Sequence, residues 1–324
     1  MNAPTISIII PVKNGIATIR QCLDAIYRQT LIDQTEVIII DSGSTDGTLE
    51  ILKQFPVRLY KILPETFNHG ATRNYGVALA KGEYVVMTVQ DAIPVHRTWL
   101  ENFIYHFKNK IIQAVVGIQC VDEDHKNNPA VWFKRYSHPT LEIRDIQADA
   151  FIRLTKKQQF ALCNWDNVNA AYRKSALMEI PFKTTNYSED WLWAKSALLK
   201  GFTIARDPSI LVYHYHHHTF AYNFRAKLIA KYIDFKGFSY TPPITFPIIG
   251  LLSKIKRIWK YTTISTVKKI YWTNHNIGIF TSTLLAEIVM HTALIISWKK
   301  EPIWLYKLFF NNDIPQGISN DTNK

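Results

Sequence analysis

Ile6 to Val12 reads as a continuous apolar run, the pattern of a strand covered on both faces. Lys13-Asn14-Gly15 breaks it, and Ile16, Ile19, Leu23, Ile26 and Tyr27 then recur at helical spacing. A second buried run, Val37 to Ile40, ends at Asp41. Ser44 or Thr45 can cap the next helix, which carries Leu49, Leu52 and Phe55. Val57 to Ile62 predicts a third strand. A helix with Ala71, Tyr75, Ala78 and Leu79 closes at Lys81-Gly82, and Tyr84 to Val89 predicts a fourth strand stopping at Gln90-Asp91. Strands separated by single helices imply a parallel sheet with right-handed crossovers. The expected class is therefore α/β, a Rossmann-like, mostly parallel central sheet flanked by helices. Ligands of such sheets bind at the carboxyl ends of the strands, which predicts one cleft among Lys13-Asn14, Asp41 to Asp46 and Gln90-Asp91.

From Gly117 onward the pattern loosens. It predicts a helix around Trp191 to Leu199 and a short strand at Ile210 to Tyr213, followed by a histidine cluster. A boundary near Phe224 divides an α/β domain, 1–224, from a helical C-terminal appendage, 225–324. Charge sharpens that division. The net charge is +12, yet from Arg225 to Phe310 thirteen cations face only Asp234, Glu287 and Glu301. The first two thirds are close to neutral, which argues against a nucleic-acid groove there. A 47% hydrophobic and 20% charged composition excludes a disordered chain. Cys22, Cys120 and Cys163 are widely spaced without a CxxC pair, as expected of reduced thiols in the cytoplasm. Met1 to Pro11 carries no secretory signal pattern.

Carboxylates at strand ends suit hard divalent cations, which take oxygen ligands, so Asp41 and Asp91 are metal or ligand candidates. The alternative for Asp41 and Asp46 is a polar turn that caps a helix. Val212-Tyr-His-Tyr-His-His-His-Thr219 is rich in potential ligands, and strand alternation would put His214, His216 and His218 on one face. For His217 and His218 a solvated run is an equal alternative.

The segments Ile8-Ile-Ile-Pro-Val-Lys-Asn14 and Val37-Ile-Ile-Ile-Asp-Ser-Gly-Ser-Thr-Asp-Gly-Thr48 resemble the opening of glycosyltransferase family 2. Phe67-Asn-His-Gly-Ala-Thr-Arg-Asn-Tyr-Gly76 with Gln90-Asp-Ala-Ile-Pro94 looks like its rhamnosyltransferase-like branch. The resemblance covers about the first 220 residues. It implies the GT-A fold, a nucleoside diphosphate sugar (dTDP-L-rhamnose, or alternatively a UDP-hexose or UDP-N-acetylhexosamine), and Mg2+ or Mn2+. By the same resemblance, Pro11, Val12 and Asn14 wrap the nucleobase, Asp41 accepts from the pyrimidine NH, and Arg73 and Gln90 complete the donor site. The family's Asp-x-Asp keeps only its second member, Asp91, because Val89 stands at the first. Ser188-Glu-Asp-Trp191 resembles the family's Glu-Asp motif, which makes Asp190 the general base, with Glu189 on the acceptor side. An acid at a helix N-terminus is expected to stay ionised. His214 and then His216 are expected near the metal–diphosphate. Phe160 to Arg173 looks like the acceptor-side segment, with Trp165 to stack on a sugar and Asn167 and Asn169 to bond hydroxyls; a buried turn is the open alternative.

The resemblance also implies a cytoplasmic inverting enzyme with a saccharide or lipid-linked acceptor, of the kind used to build bacterial surface polysaccharide. The basic, aromatic stretch Leu251 to Lys269 suits a helix lying on the inner membrane surface. Ile277 to Trp298 could span a bilayer by length, but Glu287 and His291 lie within it, which favours a core or interfacial helix. The reading from a different class is a catalytically inactive membrane-surface scaffold, prompted by Val89.

Overall fold

The computed structural model describes residues 4–124, 126–132, 140–185, 187–244 and 248–310. The end of the expected C-terminal region, 311–324, lies outside the described residues. The strands are β1 (Ile6–Val12), β2 (Thr35–Asp41), β3 (Arg58–Lys61), β4 (Tyr84–Met87), β5 (Ile93–Pro94), β6 (Ile112–Cys120), β7 (Glu142–Arg144), β8 (Ala170–Arg173) and β9 (Thr203–Tyr213). They form one sheet in the order β3-β2-β1-β4-β8-β6-β9-β5, with β7 paired to β9.

The first four strands are parallel, as the βα alternation predicts, with Val12 opposite Asp41 and Ile9 opposite Met87. Ile8, Ile9 and Ile10 have no solvent exposure, because helices cover both faces. The helix His69–Leu79 lies close on this sheet. A Cβ at Gly76 would stand 2.5 Å from Ile9 Cγ2. The other half of the sheet is antiparallel: Met87 of β4 faces Ala170 of β8, and β8 pairs with β6 in the same sense. That register puts the segment before β8 at the edge where the parallel strands end.

Two local expectations change. The helix after β2 is Thr48–Leu52, with Gly47 and not Ser44 or Thr45 at its N-cap, and Phe55 lies beyond it. Strand β9 stops at Tyr213, so the histidines that follow have no strand alternation to align them.

Contacts divide the described residues into two units: those of 4–119 with 140–214, and those of 120–132 with 215–310. The second unit is helical, with helices Phe220–Phe238, Ile248–Lys260, Thr266–Ile296 and Ile303–Phe310. The long helix Thr266–Ile296 has the length and apolarity to cross a membrane, with one third of its most apolar window buried. Its buried stripe carries polar groups that are matched. Asn276 and Asn128 exchange amide bonds at 3.1 Å, Asn223 Nδ2 donates to Ser282 Oγ at 2.7 Å, and Lys231 pairs with Glu287 at 3.1 Å. The three cysteines are free and buried.

Candidate active site

Where β1 and β2 end, their loops are tied to each other. Asn14, at φ 48°, donates its backbone NH to Ser44 Oγ (2.9 Å) and accepts from Thr45 N on Oδ1 (2.9 Å). Gly15 N donates to Thr48 Oγ1, and Ile16 N to Asp46 Oδ2. Asp41 is buried at the end of β2. Its carboxylate accepts from Gly43 N at 3.1 Å and from Ser44 N at 3.2 Å. Gly43 sits at φ 89°, the left-handed conformation this turn requires. Asp41 and Asp46 thus do form polar turns, as the alternative reading held. A carboxylate accepts about four hydrogen bonds, so the turn leaves Asp41 with acceptor capacity. Gln90, just past β4, bonds reciprocally with Lys13: Lys13 N donates to Oε1 (2.9 Å) and Nε2 donates to Lys13 O (3.1 Å). Pro11 and Val12 lead into the same loop from β1. Three strand ends therefore form one hydrogen-bonded rim.

Asp91 follows on that rim. Its Oδ1 lies 3.3 Å from His214 Nε2, and the other ring nitrogen, Nδ1, lies 2.6 Å from Gln119 Oε1. Gln119 Nε2 donates in turn to Asp166 Oδ2. Because the amide nitrogen faces Asp166, its oxygen faces His214, so Nδ1 carries a proton and Nε2 is the ring nitrogen on the Asp91 side. A carboxylate oxygen beside an imidazole nitrogen fits Mn2+ or Mg2+ as a partial ligand set that leaves positions for phosphate oxygens and water. His216 comes two residues later, exposed at the start of the second unit with its ring 5.7 Å from that of His218. Val89, at the lost carboxylate position, packs on the apolar core.

Asp190 is the second residue of the helix Glu189–Leu199 and belongs to the same edge through the segment before β8. Its Oδ2 accepts from Asn167 N (3.2 Å) and its Oδ1 from Trp191 N (2.8 Å). Burial, then the charges of Glu189 and Asp166, push its pKa well above the usual carboxylate value. The helix N-terminus alone predicts the opposite sign; burial and two acidic neighbours outweigh it here. A carboxyl so placed is a stronger proton acceptor than an exposed aspartate.

Arg73 is held beneath this group. Its Nη1 pairs with Glu189 Oε1 at 2.8 Å, with only 4% and 7% of the two side chains exposed. Burial disfavours charge on Glu189, but Arg73, the His69 ring and the Asn167 amide overcome it and hold its pKa below the usual value. Asn167 Nδ2 donates to Glu189 Oε1 (3.1 Å), Tyr172 OH donates to Asn167 Oδ1 (2.6 Å), and Trp165 Nε1 donates to the Tyr172 oxygen (2.6 Å).

These contacts correct four expected acceptor-side roles. Trp165 is 1% exposed between Tyr172 and Trp193 and has no face for a sugar. Asn169 has no exposure; it receives Trp99 Nε1 at 2.8 Å and donates to Ile118 O and Ile210 O, fastening strands together. Asn167 and Glu189 are buried in the network under Asp190 and do not line an acceptor surface. Arg73 Nη1 meets Glu189 Oε1 and donates to the His69 carbonyl. The sequence pattern gives no role to Gln119, Asp166, Tyr172 or His69, all of which the network uses. Asp166 lies within the Asn-Trp-Asp-Asn stretch, a polar signal that points to it, whereas Gln119 has no local signal at all.

Over residues 7–181 the chain matches the sequence model of glycosyl transferase family 2, more than half its length. The chain belongs to glycosyltransferase family 2. It is 31% identical over 218 residues to the O-antigen chain rhamnosyltransferase RfbN of Salmonella typhimurium, covering 66% of this chain and 67% of that protein. It is 32% identical to the O-antigen chain rhamnosyltransferase WbaN of Salmonella anatum, covering 67% and 68%. The transferase shares its fold with the mannosyltransferase PcManGT of Pyrobaculum calidifontis, solved with GDP-Man and Mn2+, at TM-score 0.54 and 18% identity over 97% of this chain and 89% of that one. It also resembles S. aureus TarS 1-349, at TM-score 0.52 and 13% identity over 95% and 90% of the two chains. It is thus an enzyme of the GT-A fold that transfers a sugar.

Proposed function

We propose that this transferase moves L-rhamnose from dTDP-L-rhamnose, with inversion, onto a hydroxyl of a saccharide or lipid-linked acceptor during bacterial surface polysaccharide synthesis. The observation that carries the reading is the continuous rim from Asp41 through Asn14, Lys13, Gln90, Asp91, His214, Gln119 and Asp166 to the segment that bonds Asp190. Nucleotide-end groups and a proton acceptor stand at its two ends, as an in-line displacement requires. The similarity to two rhamnosyltransferases supports the donor sugar.

In this scheme the loop at Pro11 to Gly15 and the Asp41 carboxylate receive the nucleobase. Asp91 and His214 would hold a divalent cation, with His216 available on the following segment. Such a cation neutralises the charge that develops on the leaving diphosphate. Asp190 takes the proton of the acceptor hydroxyl as its oxygen bonds to the anomeric carbon and the bond to the diphosphate breaks. Arg73, Glu189 and Asn167 fix the position of Asp190 and raise the contrast between the two acids: one stays charged and paired, the other is poised to accept a proton. His214 supplies a ligand beside Asp91 where Val89 offers none, which weighs against an inactive scaffold.

A thermal-shift panel tests the donor. Ligands that bind only the folded state raise its melting temperature. dTDP-rhamnose with Mn2+ should give the largest shift, and a larger shift with UDP-hexose or UDP-N-acetylhexosamine would reassign the donor.

A further inference from the structure

In the second unit, the long helix Thr266–Ile296 ends in a hydrogen-bonded turn, with Lys299 N donating to Leu294 O at 2.7 Å and Trp298 N to Ile295 O at 3.0 Å. Trp298 and Lys299 both adopt positive φ, 51° and 59°, a conformation normally left to glycine at helix ends. Backbone strain of this kind costs about 1–2 kcal/mol per residue in an L-amino acid, and side-chain packing usually compensates. Here the backbone bonds of the turn offset it, and the Trp298 side chain is left 88% exposed. Around it Ile295 (75%), Ile296, Ile303, Trp304 and Leu308 are also exposed. The short helix Ile303–Phe310 is fastened back to this turn by Trp304 Nε1 donating to Ser297 Oγ at 3.1 Å, so these side chains form one tip. Lys299, Lys300 and Lys307 belong to the same stretch. Its one acid, Glu301, is engaged by Tyr232 and by Lys236 at 3.4 Å.

We propose that this tip is a membrane anchor that inserts Trp298 and its aliphatic neighbours into the interface of an anionic lipid bilayer. Tryptophan favours that depth because its ring is apolar while its NH needs water or headgroup partners. The lysines meet the negative surface, and the thirteen-to-three excess of cations between Arg225 and Phe310 extends the attraction. A protein partner of ordinary surface would not need so one-sided a charge. The proposal is independent of the donor sugar and of the roles given to Asp91 and Asp190.

Vesicle co-sedimentation of the full chain tests it, with phosphatidylcholine alone and with phosphatidylcholine mixed with phosphatidylglycerol. The parent should bind the mixed vesicles and release them at high salt. The double variant Lys299→Ser/Lys300→Ser should bind roughly thirty-fold more weakly, since each basic side chain near such a surface contributes about 1 kcal/mol. Trp298→Ser should bind roughly tenfold more weakly. Melting temperature and dTDP binding should stay unchanged in both, because the altered side chains are exposed. Equal binding to both vesicle types, unaltered binding by the variants, or no binding at all overturns the proposal. So does vesicle association that high salt cannot reverse in any variant, which would mean a spanning helix. A dimer of the parent that Trp298→Ser dissociates would instead make the tip a contact between two copies.

Discussion

Arg73 and Glu189 form a buried ion pair, 2.8 Å between Nη1 and Oε1, directly beneath the proposed base. Removing one partner leaves an uncompensated buried charge, which costs about 3–5 kcal/mol. Arg73→Met and Glu189→Gln should each lower stability by that order in chemical denaturation. Arg73→Met combined with Glu189→Leu should recover most of the loss. Simple additivity of the two would show that they do not act as a pair.

The two neighbouring acids should give opposite pH signatures. Glu189 has a folded pKa below its usual 4.5, so its stabilisation is present above that value and is lost as pH falls through the folded pKa. Asp190 has a folded pKa raised above 3.8, so its contribution is full below 3.8 and is lost as pH rises through the folded value. Asp190→Asn should therefore raise the melting temperature at neutral and alkaline pH and change it little in acid. A lower melting temperature at neutral pH would contradict the raised pKa.

Much of this architecture is legible in the chain. Ile6 to Val12 and Val37 to Ile40 could only be doubly covered strands, and the rule that ligands sit at strand ends then picks out Asp41 and Asp91 from residue order alone. The antiparallel half is legible only at Ile210 to Tyr213, the end of β9. β8 has four residues, and the first half of β9 is broken by charged Arg206-Asp207 and by Pro208, so neither shows a clear alternation over its length. The roles of Trp165, Asn169 and Arg73 were equally hidden. Aromatic and amide side chains look the same in sequence whether they meet a sugar or a buried neighbour, and Tyr172, Trp99 and Glu189 come from other elements.

Asn169→Ala should act on stability and leave acceptor recognition alone. It strips Trp99 Nε1 and two backbone carbonyls of a buried partner, for about 2–4 kcal/mol in all. Its folded fraction should keep the parent KM for acceptor. A raised KM at unchanged stability would restore Asn169 to the acceptor site.

His214→Ala should weaken Mn2+ binding in the presence of dTDP, measured by calorimetry. Gln119→Leu should weaken it by about ten- to a hundredfold, because it frees the imidazole to rotate or change tautomer. Unaltered affinity in Gln119→Leu would separate Gln119 from the cation site.

The most direct measurement is the transfer rate of Asp190→Asn, taken beside its affinity for dTDP-rhamnose. Loss of a general base lowers the chemical step by about 10²–10⁴-fold. The variant should bind the donor as the parent does and transfer at least a hundredfold more slowly, while the parent loses activity as pH falls through a midpoint well above 3.8. Turnover within a few fold of the parent would place the proton acceptor elsewhere.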